Sequence, residues 1–359
     1  MKKVMMLVIV SLAAMSFASC KDKNNDGQDN ERFSQLDDTG QLNILAPENY
    51  IPSEIRFQFE INYGIETTID TFSRDSEMTA KMTNGVTRYD LILCGAEHIS
   101  DMRESGGVLR EIETSRLTNY ANINPVYQSR YYDPQNEYSV PYAAGCSLLA
   151  YNAEIEPFAP ENYNALMRDD LKSAVTLPNE MRDVIGAALL ASGASVNAAD
   201  EQSVSKVRSA LNAIKPNVIS FNSVNPYEAL LSGTARVGLM RNYHIYKAME
   251  TSPSAMYVYP TEGVALWIDC LAITENAANL SSAYYFLDFV LDAKTSARIS
   301  SSIGRTNCNT AAREFLPDYY VKNQAICIPD DIAEKAEMYE SWGDAERIYA
   351  EIWEEFKLF

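Results

Sequence analysis

The sequence predicts an α/β fold arranged as two units with a ligand cleft between them. Three observations predict it. Strand-like and helix-like segments alternate, the alternation starts afresh after about residue 145, and 359 residues at 47% apolar content can fill one large or two medium cores. The first unit opens with a strand at 41–46, QLNILA. Pro52 and Ser53 begin a helix carrying Ile55, Phe57, Phe59 and Ile61, and Gly64 stops it. Residues 66–72 form the next strand, 76–84 a short helix ended by Gly85, and YDLILC at 89–94 a buried strand. A β–α–β–α–β order implies a parallel sheet with helices on its faces.

The second unit repeats this grammar. MRDVIGAALLASG is a helix with Gly193 as its stop, and 201–214 is another, ended by Pro216. NVISF, ARVGLM and MYVYP read as strands, with PYEALLSG and YHIYKAME as helices between them. EGVALWIDCLAI, at 262–273, is a buried strand interrupted by one carboxylate, Asp269. Burying an unpaired carboxylate costs several kcal/mol, so Asp269 must face something that offsets this. Helices at 280–290 and 293–301 follow, and tail helices at 331–342 and 344–356 close the chain.

Residues 1–20 stand outside this scheme. Lys2 and Lys3 precede an apolar run from Val4 to Phe17, the layout of a secretory signal. Phe17-Ala18-Ser19-Cys20 resembles a bacterial lipobox, in which cleavage leaves a lipidated cysteine, so Cys20 is the expected lipid anchor in the cell envelope. Residues 21–40 are then a polar tether that buries no apolar area.

The net charge is −19, and −21 once Lys2 and Lys3 leave with the signal. Nucleic acid is excluded as a partner, since phosphates call for Lys and Arg. The acidity suits cationic ligands. Cys94, Cys146, Cys270, Cys308 and Cys327 show no metal-knuckle spacing, and the chain has 2 histidines, so no metal is expected. No phosphate-cradling, dinucleotide-binding, nucleophile-elbow or HExxH motif is present, and no cofactor is expected. Two α/β units in a secreted chain imply binding in the cleft, at the carboxyl ends of parallel strands.

Several segments carry a resemblance: LNILAPENYIP from residue 42, YDLIL from 89, NEYSVPYAAG from 136, NEMRDVIGAAL from 179, PNVISFNSVNP from 216, EGVALWIDCLAI from 262 and IGRTNCNTAAREFLP from 303. Each is weak alone, but their order and spacing are specific. Through nearly all of the mature chain, the sequence resembles the spermidine/putrescine-binding proteins of ABC importers, which have the type II periplasmic binding fold. The resemblance implies two discontinuous lobes, 41–144 plus 269–315 and 145–268 plus 316–359, with a polyamine as ligand and an ABC permease as partner.

It also implies site residues. In a strand Trp267 and Asp269 share a face. In the family this W-x-D faces the cleft, where the aspartate takes a ligand amine and the tryptophan lies along its methylenes or under its charge. An ammonium needs acceptor oxygens and a π face, which this pair supplies. Glu180 and Asp183 match two acidic residues at the start of a helix, a place where the helix dipole alone would favour them. Ser223 matches a cleft serine and Tyr50 a flanking aromatic.

The chain departs from the family elsewhere. Pro47 and Ala144 stand where the family has tryptophans, and Asn49 replaces an acidic residue, with Glu48 beside it. Glu97 replaces an aromatic, Arg241 a tryptophan and Arg305 a tyrosine. An arginine about 5 Å from a ligand ammonium repels it by about 3 kcal/mol at an effective dielectric of about 20. Glu97 is the expected neutraliser of one arginine, and Arg241→Trp is then expected to strengthen polyamine binding. Four acids, Glu97, Glu180, Asp183 and Asp269, oppose two arginines, so the pocket stays net negative. The alternatives are the same transport role with an amino-acid-like zwitterion, a receptor serving a signalling partner, and an enzyme using Cys94 with His98 as its base.

Overall fold

The computed structural model describes residues 40–85 and 87–358. The signal, Cys20 and the tether up to residue 39 lie outside the described residues. The first unit contains β1 (Gln41–Pro47), α1 (Ser53–Tyr63), β2 (Glu66–Phe72), α2 (Asp75–Thr83), β3 (Leu91–Gly95) and α3 (Ala96–Ser105). After three single 3-10 turns comes β4 (Val140–Asn152), then β5 (Val175–Leu177), α4 (Met181–Ala191), α5 (Glu201–Ile214), β6 (Val218–Phe221) and α6 (Tyr227–Leu231). β7 (Val237–Arg241), α7 (Asn242–Thr251), β8 (Ala255–Val258) and β9 (Ala265–Ile273) complete the second unit. The remainder is α8 (Leu280–Leu291), α9 (Ala293–Ile303), β10 (Thr306–Asn307), α10 (Asp318–Val321), α11 (Asp330–Lys335), β11 (Glu337–Met338) and α12 (Ala345–Lys357).

Local chemistry accounts for the helices. α5 starts where the Asp200 side chain accepts from the Ser203 amide, and it buries Val207, Ala210, Leu211 and Ile214 at helical spacing. α1 ends on Gly64 in the left-handed region, at φ 71°. Its apolar face is narrower than the sequence suggests. Ile55 and Phe59, one turn apart, are buried, whereas Phe57 and Ile61 are 51% and 78% exposed.

The sheet is mixed rather than parallel throughout. Its strands run β2-β1-β3-β9-β4-β7-β5-β6. β1 pairs with β2 and β3 in parallel, as does β5 with β6 and β7, but β9 is antiparallel to β3 and β4, and β4 to β7. The βαβ order sets the outer strands, and β4 and β9 run against them at the centre. β4 pairs with β9 along Val140–Cys146 and with β7 along Ser147–Tyr151, so one strand serves both halves. Its neighbours Leu148 and Leu149 enter different cores. Successive strand residues point to opposite faces, and here each face has its own core.

The tail corrects a second expectation. The helix at 331–342 stops at Lys335, and the chain runs on as β11, pairing in parallel with β9 at Ala265 and Leu266. This places Met338, Tyr339 and Trp342 in buried positions, with the Trp342 indole N–H donating to the Val196 carbonyl at 3.0 Å. A free strand edge and three large side chains to bury outweigh helical propensity there.

Candidate functional site

Trp267 and Asp269 sit on β9 at the centre of the sheet, with small residues beside them. Asp269 lies between Gly95 of β3 and Ala143 of β4, and Trp267 lies opposite Gly145. A Cβ on Gly145 would stand 2.2 Å from Trp267 Cζ2 and 2.8 Å from Asn242 Oδ1. The indole therefore rests on bare backbone, and only glycine fits beneath it. At Gly95 a Cβ would meet the folded-back Glu97 carboxylate at 2.6 Å. Glu97 is thereby held near Asp269, where its charge acts on the aspartate.

Asp269 is 8% exposed, and its Oδ2 is buried with no hydrogen-bond partner among the described residues. Burial pushes its pKa up to about 6, against the pull of the Arg305 charge and of hydrogen bonding from Tyr50. Tyr50 is fixed by its own backbone carbonyl, which accepts from the Tyr142 hydroxyl at 2.8 Å. Arg305 lies over the Tyr243 ring at 3.5 Å and the Tyr50 ring at 5.1 Å. Its Nη1 is buried without a partner.

The other arginine is differently placed. Arg241 Nε donates to Asp183 Oδ2 at 2.9 Å, and the guanidinium lies 5.1 Å from the Trp267 ring. Asp183 is 1% exposed and also accepts from the Tyr339 hydroxyl at 3.2 Å. Both its oxygens are thus engaged within the protein. Asp183 is therefore the partner of Arg241, which leaves Arg305 as the arginine for which Glu97 is the expected neutraliser, and the repulsion that Arg241→Trp was expected to relieve is already largely cancelled. Removing Arg241 and Asp183 together from the count leaves Asp269, Glu180 and Glu97 against Arg305, still two net negative charges.

Glu180 stands half-buried before α4, and its carboxyl is raised by burial against the pull of Arg241. The Ser223 hydroxyl accepts from the Asn179 amide at 2.8 Å and bonds to Glu180, so Ser223 positions the acid. Glu48 is exposed with its carboxylate on the Ser73 hydroxyl, and the structure places it outside this group. Tyr243 also lines an open cavity of about 450 Å³ with Asn49, His244, Lys247 and Gly304.

Sequence reasoning missed Asp75, whose carboxylate stands 3.3 Å from His98 Nε2 and whose charge reaches Glu180. It also missed Tyr243 and Gly145. Asp75 and Tyr243 gave no local signal, but a glycine opposite a strand tryptophan could have been found from the register. Cys94 is 1% exposed and burial raises its thiol well above the ordinary range, so it is built as core, not as a nucleophile.

Residues 89–335 match the family described as bacterial extracellular solute-binding protein. The chain belongs to that family. This solute-binding protein is 29% identical over 310 residues to the spermidine/putrescine-binding periplasmic protein of Salmonella typhimurium, covering 86% of this chain and 89% of the relative. It is 28% identical to spermidine/putrescine-binding periplasmic protein 1 of Haemophilus influenzae, over 99% of each chain. Among solved structures, the spermidine/putrescine ABC transporter substrate-binding protein of Streptococcus pneumoniae superposes with a TM-score of 0.80 at 26% identity, over 89% of this chain and 98% of that one. A putative spermidine/putrescine ABC transporter protein of Listeria monocytogenes gives 0.79 at 26%, over 89% and 99%. The solute-binding protein therefore has the α/β fold of two lobes with a cleft between them. No helix among the described residues is long and apolar enough to cross a membrane.

Proposed function

We propose that this solute-binding protein captures a linear alkylammonium solute of the polyamine class outside the cytoplasm and hands it to an ABC permease. One observation carries the reading. A buried carboxylate, Asp269, with one oxygen unpartnered among the described residues, shares a strand face with Trp267, whose ring packs against Gly145. An acceptor beside a π face is what a primary ammonium on an alkyl chain requires. Relatives whose names specify spermidine, putrescine or cadaverine support it. The lobes are assigned as 41–144 plus 269–315 and 145–268 plus 316–359. Their closure over the solute creates the surface that the permease reads.

The chain is anchored by a lipid on Cys20, and mass spectrometry of the mature protein checks this. An unmodified N-terminus at another residue would overturn the anchor. The function itself is tested by a thermal-shift screen of putrescine, spermidine and neutral amino acids. Saturation at about 100 times Kd stabilises by about 2.7 kcal/mol, a visible shift. Absence of a shift with every amine would overturn the polyamine reading.

A further inference from the structure

Two buried atoms, on Asp269 and Arg305, lack hydrogen-bond partners among the described residues, and they have opposite chemistry. Asp269 Oδ2 offers an acceptor and Arg305 Nη1 a donor. Arg305 acts on Asp269 through its charge, but no hydrogen bond between them is formed among the described residues. Arg305 is sandwiched by Tyr243 at 3.5 Å and Tyr50 at 5.1 Å, and its backbone carbonyl accepts from the Tyr320 hydroxyl. Asp269 lies on the central strand between Gly95 and Ala143. Among the described residues no ion pair joins them. A buried charge without a partner is costly, and a pure polyamine would satisfy Asp269 while leaving Arg305 facing a like charge.

Arg241 is no substitute, because Asp183 already engages it at 2.9 Å. Arg305 is thus the guanidinium left to read a ligand. The remaining acids, Asp269, Glu180 and Glu97, supply acceptors for ammonium groups, and Arg305 supplies the one donor left for a carboxylate. A ligand with two ammonium groups and one carboxylate places the carboxylate on Arg305 and one ammonium on Asp269, with its methylenes along Trp267. A planar guanidinium is suited to reading a carboxylate by two parallel hydrogen bonds. We infer that this site takes a carboxylated diamine, the class of the dibasic amino acids, in preference to the plain diamine. The inference rests on the alkylammonium reading of the Trp267–Asp269 pair.

Calorimetry with two matched pairs tests it, because each pair differs only by a carboxylate: L-ornithine against putrescine, and L-lysine against cadaverine. The wild type is expected to hold the carboxylated member at least tenfold more tightly. Arg305→Gln is expected to lose at least a hundredfold for L-ornithine while holding putrescine as well or better, and Arg305→Lys to fall between. A wild type that binds putrescine at least as tightly as L-ornithine overturns this inference and leaves the alkylammonium reading standing. A wild type that binds neither member of either pair overturns both. The wild-type comparison decides even if the variants do not fold.

Discussion

At neutral pH the Asp269 carboxylate is held where its charge costs stability. Burial raises its pKa from 3.8 to about 6, making it a weaker acid. Between about pH 4 and 6 the unfolded chain has already lost this proton while the native one keeps it. The native state then binds more protons, so stability falls as pH rises through this window, by about 3 kcal/mol for roughly two units. Binding has the opposite sign, because an ammonium needs the ionised form, and affinity should decline as pH drops below about 6. Asp269→Asn should therefore raise the unfolding midpoint of the ligand-free protein at pH 7. The same variant should weaken a cationic ligand by about 1.5–3 kcal/mol, the range for a hydrogen bond to a charged group. Unchanged affinity by calorimetry places the site elsewhere. Arg241 gives the converse case. Arg241→Trp leaves the buried Asp183 with only the Tyr339 hydroxyl, and about 3 kcal/mol of stability should be lost. Urea unfolding checks this, and Arg241→Trp combined with Asp183→Asn should recover most of the loss.

Strand register, more than side-chain identity, makes the site. Gly145→Ala would drive a methyl group into the indole at 2.2 Å, so the ring must leave its place. Overpacking of this kind costs about 1–3 kcal/mol, and loss of the stacked face should remove a further ~1 kcal/mol of ligand affinity. Adding Trp267→Ala to Gly145→Ala should restore stability but not affinity; recovery of both would show that the ring does not serve binding. Elements with local signals were legible in the sequence. α5 is found at its full length because Asp200 caps it and its apolar residues recur every three or four positions. Elements set by distant partners were not. β4 is buried along nearly all of its 13 residues, and nothing in that run shows where it passes from β9 to β7. β11 exists because β9 has an edge at Ala265, a fact absent from residues 331–342. The site divides in the same way. Trp267 and Asp269 could be paired by alternation alone, whereas the partner of Arg241 lies 58 residues away, with α5, β6 and α6 between them.

Across the whole molecule, β4 and β9 are the long central strands, and Trp267 and Asp269 lie beside β4 just before it changes partner. Both cores contribute residues from these strands, Ile268 to the first and Ala265 to the second. The bounds of the discontinuous lobes are expected from the resemblance alone, since the alternation that starts afresh near residue 145 marks a second unit without showing where the chain crosses back. The position of Trp267 also has an optical consequence. The chain has 3 tryptophans. Trp342 and Trp353 are 3% and 6% exposed in the second core, against Tyr349 and Phe221 respectively. Trp267 is the one proposed to meet the ligand, and its ring packs against the backbone at Gly145. Intrinsic emission at a tryptophan-selective wavelength should therefore report occupancy without any attached dye. Titrating a bound solute should change the wild-type emission and leave that of Trp267→Phe flat, even where calorimetry still detects heat. The packed ring should also keep a high steady-state anisotropy before the solute arrives, so that binding alters the colour and yield of the light far more than its polarisation.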